Sequence, residues 1–418
     1  MVEFTRFTLD NGLTVLLHPE PDKYSAAVNI LYRAGTIYEE AGYTGLAHLF
    51  EHLMFTGTPA VPSYDVPLQK AGGENNAFTC SDYATYYSYG PAVNLPLYLS
   101  LEADRMRSLM LREKEFNVQR KVVIEEFYET CTDEPYGDLW HQFGDMVYPD
   151  CPYNIPVIGR DVNEIQAINL DRIKQWYAEM YSPSNAILAV SGRFDVNQVT
   201  ALINAEFGSV PRGKGATLPF NTDNFNTELS VQKSIKSNVP ADAIFMGFPI
   251  ARRSAREYYS ADLWTEILSG GKSSRLYERL INKEKLLYEV EVYTNDVAGP
   301  GVLIIEGKCN RQADLQKVEQ CIWAELEKIK SVPIPQDELK KAVNKTLTTI
   351  EFSEYSTVNK AINLCYFEFL GDARLINSET AIYHSITTED LIREANTIFQ
   401  TSHAKTLFYL KNGRRKKT

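Results

Sequence analysis

The chain has 418 residues, a length that favours two or more domains over a single core. Its net charge of −11 argues against a nucleic-acid-binding protein, which needs a basic face. No apolar stretch approaches the roughly 18 residues that a membrane span needs. The six cysteines form no C-x-x-C pair and favour a reducing compartment. We therefore expect a cytoplasmic protein, or a periplasmic one if a signal peptide has been removed.

The chain begins with a strand–turn–strand pattern around Asn11-Gly12, which differs from a signal peptide. Further along, period-two alternation predicts strands, and apolar residues three and four apart predict helices. The strands fall at 13–18, 26–32, 186–191, 243–248, 301–306 and 406–410, and the helices at 94–110, 114–130, 257–268, 312–330, 336–352 and 388–399. This order predicts an α+β fold, in which mainly antiparallel sheets carry helices on one face.

The strongest chemical signal is a short segment, His48-Leu49-Phe50-Glu51-His52. A helix with 3.6 residues per turn places His48, Glu51 and His52 on one side. Two neutral imidazoles suit Zn²⁺, and the free carboxylate beside them can take a proton from a metal-bound water. This H-x-x-E-H order is typical of inverted zincins. The alternative is a surface helix with incidental histidines, but the chain has only six. We therefore predict one zinc ion per chain.

A catalytic zinc ion needs a third protein ligand, and the helical segment 115–129 offers Glu125, Glu126 and Glu129 as candidates. Glu126 and Glu129 are three residues apart and share a face, whereas Glu125 is turned about 100° away from Glu126. Spacing alone does not choose among the three. Each of these glutamates could instead belong to an ordinary charged helix face that is exposed to solvent.

The chain contains one internal repeat, seen in two pairs of matching segments: 47–54 with 261–268, and 168–186 with 386–404. In the second copy of the motif, Asp262 and Glu266 replace the histidines and Thr265 replaces the glutamate. Residues 209–221 are rich in glycine and proline, which is typical of a linker. We predict two similar domains, a zinc-binding one at 1–208 and one with a decayed metal site at 222–418.

Three longer stretches are present, GLAHLFEHLMFTGT, GGENNAFTCSDYATYY and RKVVIEEF. Together they resemble the pitrilysin family of zinc peptidases, in particular the branch of mitochondrial processing peptidase and its bacterial relatives. The similarity extends over essentially the whole chain. In that family the third ligand is the Glu six residues after the Arg of an E-R-x-V-x-x-x-E pattern, which implies Glu126 after Arg120. The family often has another Glu seven residues before the ligand. This chain has Gln119 there, which we expect to tune the site.

The resemblance also implies a fold and a mode of substrate binding. Two homologous domains would clamp like shells around an inner chamber, of which this chain would form half. A peptide would add as a strand to a sheet edge. The segment that resembles this edge runs from Asn75 to Thr79, and Asn76, Ala77 and Phe78 are its expected substrate-binding residues. Strand addition recognises extended backbone, so the implied substrates are unfolded peptides or flexible segments.

The chain departs from the family in its second half. Active members carry an Arg and a Tyr seven residues apart, which hold the substrate carbonyl and the oxyanion. Here Tyr288 is present, but Ile281 stands at the Arg position and cannot donate a hydrogen bond. Two explanations stay open. Either Arg275, Arg279 or Lys283 substitutes after a local shift, or another subunit of a homodimer or of a heterodimer with a paralogue supplies the pair.

These features predict a zinc-dependent endopeptidase. His48, His52 and Glu126 would hold the metal, Glu51 would activate water as general base, and Tyr288 would contribute to the oxyanion site.

Two alternatives remain. The chain could be a non-catalytic subunit, which Ile281 favours. It could also be a purely structural zinc domain, but a closed zinc site needs a fourth protein ligand. Near the motif only Cys80 could supply one.

Overall fold

The computed structural model describes residues 1–216, 229–295, 297–311 and 313–412. Its elements, in chain order, are β1 Thr5–Thr8, β2 Thr14–Pro19, β3 Ser25–Tyr32, α1 Leu46–Leu53, α2 Asp65–Lys70, β4 Glu74–Thr79, β5 Ala84–Pro91, α3 Leu95–Arg107, α4 Glu113–Phe127, α5 Leu139–Val147, α6 Val162–Ala167, α7 Leu170–Met180, β6 Ala186–Gly192 and α8 Val196–Phe207. The chain continues with β7 Val231–Ser237, β8 Ala243–Arg252, α9 Arg256–Ser269, β9 Leu287–Thr294, β10 Pro300–Cys309, α10 Leu315–Ser331, α11 Gln336–Ser353, α12 Thr357–Phe369, α13 Glu379–His384, α14 Thr388–Ile398 and β11 Lys405–Lys411. Every strand and helix predicted from periodicity is present.

The chain forms two compact units, each assembled from three segments. The first contains Met1–Tyr128, Ile155–Phe220 and Glu351–Ser378, and the second contains Glu129–Asn154, Asn221–Ile350 and Glu379–Thr418. The sequence instead assigned residues 129–154 to the first domain and residues 351–378 to the second. Residues 217–221 of the expected linker lie outside the described residues.

The first unit contains a six-stranded sheet in the order β1-β2-β6-β3-β5-β4. The pairing is antiparallel except between β2 and β6. The predicted hairpin around Asn11-Gly12 is confirmed, because β1 and β2 pair on either side of it. Along β3, Val28 and Ile30 lie in the core that includes α1 and α3, whereas Ala27 and Leu31 face the other way. Both faces of this strand are apolar and need cover.

Helix α12 covers the second face of this sheet. Its Ala361, Leu364 and Cys365 share a core cluster with Ala27 and Leu31 of β3. The prediction of helices on one face is therefore wrong for this unit. The physical reason is that β3 has apolar side chains on both faces, so a second hydrophobic surface must be buried.

The second unit contains a five-stranded sheet in the order β7-β11-β8-β10-β9, with only β7 and β11 parallel. Ile244 and Met246 of β8 face a core that includes α9, α10 and α14. On the opposite face α5 contacts β8 and β11. A Cβ at Gly247 would lie 2.8 Å from both Phe143 and Val147 of α5, so glycine permits the close approach. This sheet also carries helices on two faces.

Within the described residues, no helix is both long and apolar enough to cross a bilayer.

Candidate metal centre

Glu39 caps the start of α1, the helix that carries the H-x-x-E-H motif, through hydrogen bonds to its backbone. Its two carboxylate oxygens accept hydrogen bonds from the backbone N–H groups of Gly45, at 3.0 Å, and Ala47, at 2.8 Å. The first N–H groups of a helix have no partner inside it, so Glu39 satisfies two of them. Burial raises the pKa of Glu39 to about 8, although these hydrogen bonds lower it. The contacts fix the beginning of α1 and therefore the direction of its side chains.

His48 and His52 of α1 lie opposite Glu126 of α4. Nε2 of His48 is 3.8 Å from Oε1 of Glu126, and Nε2 of His52 is 3.5 Å from Oε2. One possible ligand atom from each side chain lies within 4.8 Å of the others. In a tetrahedral site with bonds of about 2.1 Å, ligand atoms are roughly 3.4 Å apart. Two imidazole nitrogens and a carboxylate oxygen at these separations fit a zinc ion.

The electrostatic state of the imidazoles suits this role. The rings of His48 and His52 are 4.9 Å apart and nearly perpendicular. Burial, followed by the neighbouring His52, lowers the pKa of His48 to about 4. The ring is therefore neutral at neutral pH, which is the form that binds a metal.

Glu51 lies beside the three-residue cluster without belonging to it. Its Oε2 accepts a hydrogen bond from Oγ1 of Thr79, the last residue of β4, at 2.6 Å. Burial raises the pKa of Glu51, whereas the hydrogen bond from Thr79 lowers it. A carboxylate with a raised pKa can take up a proton and give it back more readily.

The structure separates the three candidate glutamates of the helical segment. Glu126 joins the cluster, whereas Glu125 and Glu129 are exposed. Arg120 holds α4 in place, since its guanidinium donates to two backbone carbonyl oxygens at the end of α6, at 3.1 and 2.8 Å. Gln119 lies two turns before Glu126 and is partly buried. Its effect on the site stays a prediction.

Strand β4 is the outermost strand of its sheet and pairs with β5 alone. Asn76 is exposed and Phe78 is 36% exposed, whereas Ala77 packs against the core. The backbone N–H of Ala77 donates to Oδ1 of Asn76 at 2.8 Å. A strand edge of this kind can pair with an extended peptide. The assignment of these three residues to substrate binding stays a prediction.

In the second unit, α9 carries the repeat of the motif, and its polar side chains are bonded to neighbouring groups. Asp262 accepts a hydrogen bond from the hydroxyl of Tyr383 at 2.6 Å, and Thr265 donates to the carbonyl oxygen of Asp262. Glu266 forms an ion pair with Lys345 at 2.7 Å. None of these residues belongs to a possible metal cluster among the described residues. A lysine ammonium supplies the positive charge next to Glu266.

Ile281 and Tyr288 occupy different surroundings within the second unit. Ile281 lies in a π-helical turn, Tyr277–Lys283, and packs against the hydrophobic core. Tyr288 lies on β9, the outermost strand, with its side chain 48% exposed. Burial raises the pKa of Tyr288. The isoleucine is therefore held by apolar packing, and the tyrosine hydroxyl is accessible.

All three cations that could replace the missing arginine form ion pairs, and those of the two arginines are the closer ones. Arg275 contacts Glu338 through two hydrogen bonds of 2.9 Å. Arg279 lies 3.1 Å from Glu284. Lys283 is more exposed and is 3.6 Å from a glutamate of its own turn. Substitution by either arginine would require breaking an existing ion pair.

Sequence reasoning missed Glu39 and the hydrogen bond from Thr79 to Glu51. Glu39 precedes α1 by a short loop, and Thr79 directly follows the predicted substrate-binding residues. Their positions next to α1 and next to the expected substrate-binding residues are the signals that could have identified them. Glutamate and threonine are too common for such a position alone to be specific.

Two family models match the chain. The model described as "Insulinase (Peptidase family M16)" matches residues 14–139, and "Peptidase M16 inactive domain" matches residues 167–346. The zinc protease PqqE of Helicobacter pylori is 28% identical over 407 residues, which cover 96% of this chain and 91% of that protein. An uncharacterized zinc protease of Streptomyces coelicolor is 27% identical, covering 92% of this chain and 85% of the relative.

Solved structures extend the similarity to the whole fold. The crystal structure of a protease from Helicobacter pylori has a TM-score of 0.92 and 26% identity, covering 98% of this chain and 100% of that one. Pitrilysin has a TM-score of 0.78 at 17% identity and is similar in fold, with this chain covering 45% of it. The predicted two-domain α+β class is confirmed. The chain therefore has the fold of the M16, or pitrilysin-like, zinc proteases.

Proposed function

We propose that this chain is a zinc-dependent endopeptidase that cleaves unfolded peptides or flexible segments. The observation that carries the proposal is the convergence of His48, His52 and Glu126 within 4.8 Å, with Glu51 beside them. The names of the relatives as zinc proteases support the metal and the reaction class. The cluster does not include Cys80, so no fourth ligand is offered by the described residues for a closed structural site.

The metal ligands, Glu51 and Thr79 have different roles in the proposed hydrolysis. A zinc ion held by the three ligands, one per chain, would supply a Lewis acid that acidifies a water and polarises the peptide carbonyl. Glu51 takes the proton of the attacking water as general base and returns it to the leaving amine as general acid. The hydroxyl of Thr79 donates to Oε2 of Glu51 and would orient the carboxylate for this proton exchange.

The substrate would bind by adding a strand to β4. Backbone groups of Asn76, Ala77 and Phe78 would pair with the peptide, and this pairing requires an extended chain. The Asn76 side chain bonds the N–H of Ala77 in the absence of substrate, and an arriving peptide carbonyl would replace it. Folded proteins would be excluded unless they offer a flexible segment.

We further propose that a partner subunit completes the site. Ile281 is fixed in apolar packing, and Arg275 and Arg279 are engaged in ion pairs, so the described residues offer no ready replacement for the family arginine. A paralogue with an Arg–Tyr pair, or a second copy of this chain, would stabilise the oxyanion together with or instead of Tyr288. A cytoplasmic location is part of the proposal, supported by six scattered cysteines that form no C-x-x-C pair.

A second candidate function is a non-catalytic subunit of such a dimer. Ile281 favours it, and so does the match of residues 167–346 to the model described as an inactive domain. The intact metal ligands and Glu51 favour a catalytic subunit, because a non-catalytic subunit does not require a general base next to a metal site.

The experiment that separates these functions is hydrolysis of a quenched, unstructured peptide by the lone chain and by Ile281→Arg. We expect slow, chelator-sensitive hydrolysis by the wild type. One oxyanion donor is typically worth about 10²–10³ in rate, so Ile281→Arg should raise turnover by at least about tenfold if Tyr288 serves the same site. Adding the complementing subunit should raise it by a similar factor.

Ile281→Met is the matched control, because it keeps an apolar side chain of similar size and should leave turnover unchanged. Fast cleavage by the lone wild-type chain, with Ile281→Arg neutral, would show that no partner is needed. If the zinc-loaded chain stays inactive both as Ile281→Arg and with the complementing subunit added, the chain is non-catalytic.

A further inference from the structure

The hydrogen bond between Thr79 and Glu51 joins the expected peptide-binding strand β4 to α1, the helix that carries the general base. Thr79 ends β4, the strand whose free edge would receive the peptide. Glu51 lies on α1, between the two histidines in sequence. The 2.6 Å distance is typical of a charge-assisted hydrogen bond from a hydroxyl to a carboxylate.

We propose that Thr79 is a positioning residue: its hydroxyl holds the carboxylate of Glu51 in orientation and couples the general base to the strand that binds the peptide. This inference rests on the proposed function. It assigns a role to a residue that lies outside the metal cluster and outside the expected peptide-binding residues.

The alternation of β4 explains why this threonine can reach the base. Residues 74, 76 and 78 are exposed, whereas residues 75, 77 and 79 turn towards the protein. Asn75 of the inward set bonds Asp65 of α2 at 2.8 Å, and Ala77 packs against the core. Thr79 is therefore the inward residue of β4 that contacts α1 through a polar bond. The same strand would present its edge to the substrate and its last side chain to the base.

The bond restricts a side chain that would otherwise rotate. A glutamate has three rotatable bonds, and one fixed oxygen reduces the orientations open to the other. Catalytic geometry is sensitive to small displacements, and a misplacement of about 1 Å can cost about 10²-fold in rate. Peptide pairing along β4 would order the strand and, through Thr79, the base. Binding and activation of water would then be linked.

The test compares Thr79→Val, Thr79→Ser and the wild type. Valine keeps the shape of the side chain but cannot donate, so kcat should fall by at least about tenfold while KM and zinc content stay within about twofold. Serine keeps the hydroxyl and should restore most of kcat. Equal kcat for valine and the wild type would overturn the proposal, and so would a serine variant as slow as valine.

Thr85 provides a matched control in the neighbouring strand. It is a buried threonine on β5 whose hydroxyl bonds Oδ1 of Asn29 at 2.8 Å, without contact to Glu51. Thr85→Val should lower thermal stability and leave kcat within about twofold. A loss of kcat as large as that of Thr79→Val would mean that general loosening of the sheet, and not the bond to Glu51, explains the effect.

A second readout does not depend on activity. In a double-mutant cycle on the unfolding midpoint, Thr79→Val should lower the midpoint of the wild type and lower that of Glu51→Ala by less than half as much. Additive shifts would overturn the proposal. If no form of the chain hydrolyses peptides, the proposed function fails, and this cycle still decides whether Thr79 holds Glu51.

Discussion

Glu51→Gln is expected to keep zinc bound and to lose hydrolysis. The amide has the same shape, and its oxygen can still accept the hydrogen bond from Thr79. It cannot take a proton from water at neutral pH, and loss of a general base typically costs about 10²–10⁴ in rate. Glu51 lies outside the cluster of three ligands, so metal content should not change. Elemental analysis and kcat on the same preparation give both results.

Glu125→Gln is the matched control for this variant, since Glu125 is an exposed glutamate on α4. It should retain both zinc and wild-type turnover. If Glu51→Gln loses zinc, Glu51 is a ligand and the assignment of roles is wrong. If it turns over at the wild-type rate, another group moves the proton.

Glu126→Gln is expected to weaken zinc binding more than any other glutamate substitution on this helix. A carboxylate contributes negative charge as well as an oxygen, and the amide supplies only the oxygen. Loss of a residue that merely supports a ligand typically costs about 10–100-fold in metal affinity, so loss of a ligand's charge should cost at least that much. Titration against a chromophoric zinc chelator measures the affinity.

Glu125→Gln and Glu129→Gln serve as controls of identical chemistry on neighbouring positions. Both side chains are exposed and lie outside the cluster, so their zinc affinities should stay within about threefold of the wild type. Equal affinities in all three variants would mean that the register of α4 relative to α1 is wrong.

The candidate metal site was largely predictable because its main part is local. His48, Glu51 and His52 belong to one helix, and helical spacing alone fixes their relation. The third ligand required a second helix. Spacing alone did not choose among Glu125, Glu126 and Glu129, and the resemblance to a family implied Glu126. The contact of Arg120 with the end of α6, which holds α4 in this register, joins residues distant in sequence.

The assembly of the units was less predictable. The amphipathic patterns of α5 and α12 indicate that each helix buries one face, but they do not indicate which sheet it covers. Each of these helices packs in the unit opposite to its half of the sequence. The bond from Thr79 to Glu51 was equally inaccessible, because it depends on where the end of β4 lies relative to α1.

We propose that His48, His52 and Glu126 together hold one zinc ion. The most direct test is an anomalous difference map, recorded at the zinc absorption edge from crystals of the chain as purified. We expect one peak about 2.0–2.2 Å from Nε2 of His48, Nε2 of His52 and a carboxylate oxygen of Glu126, and no peak in crystals of His48→Ala. A zinc peak elsewhere with this cluster empty, or a peak that survives His48→Ala, would contradict it.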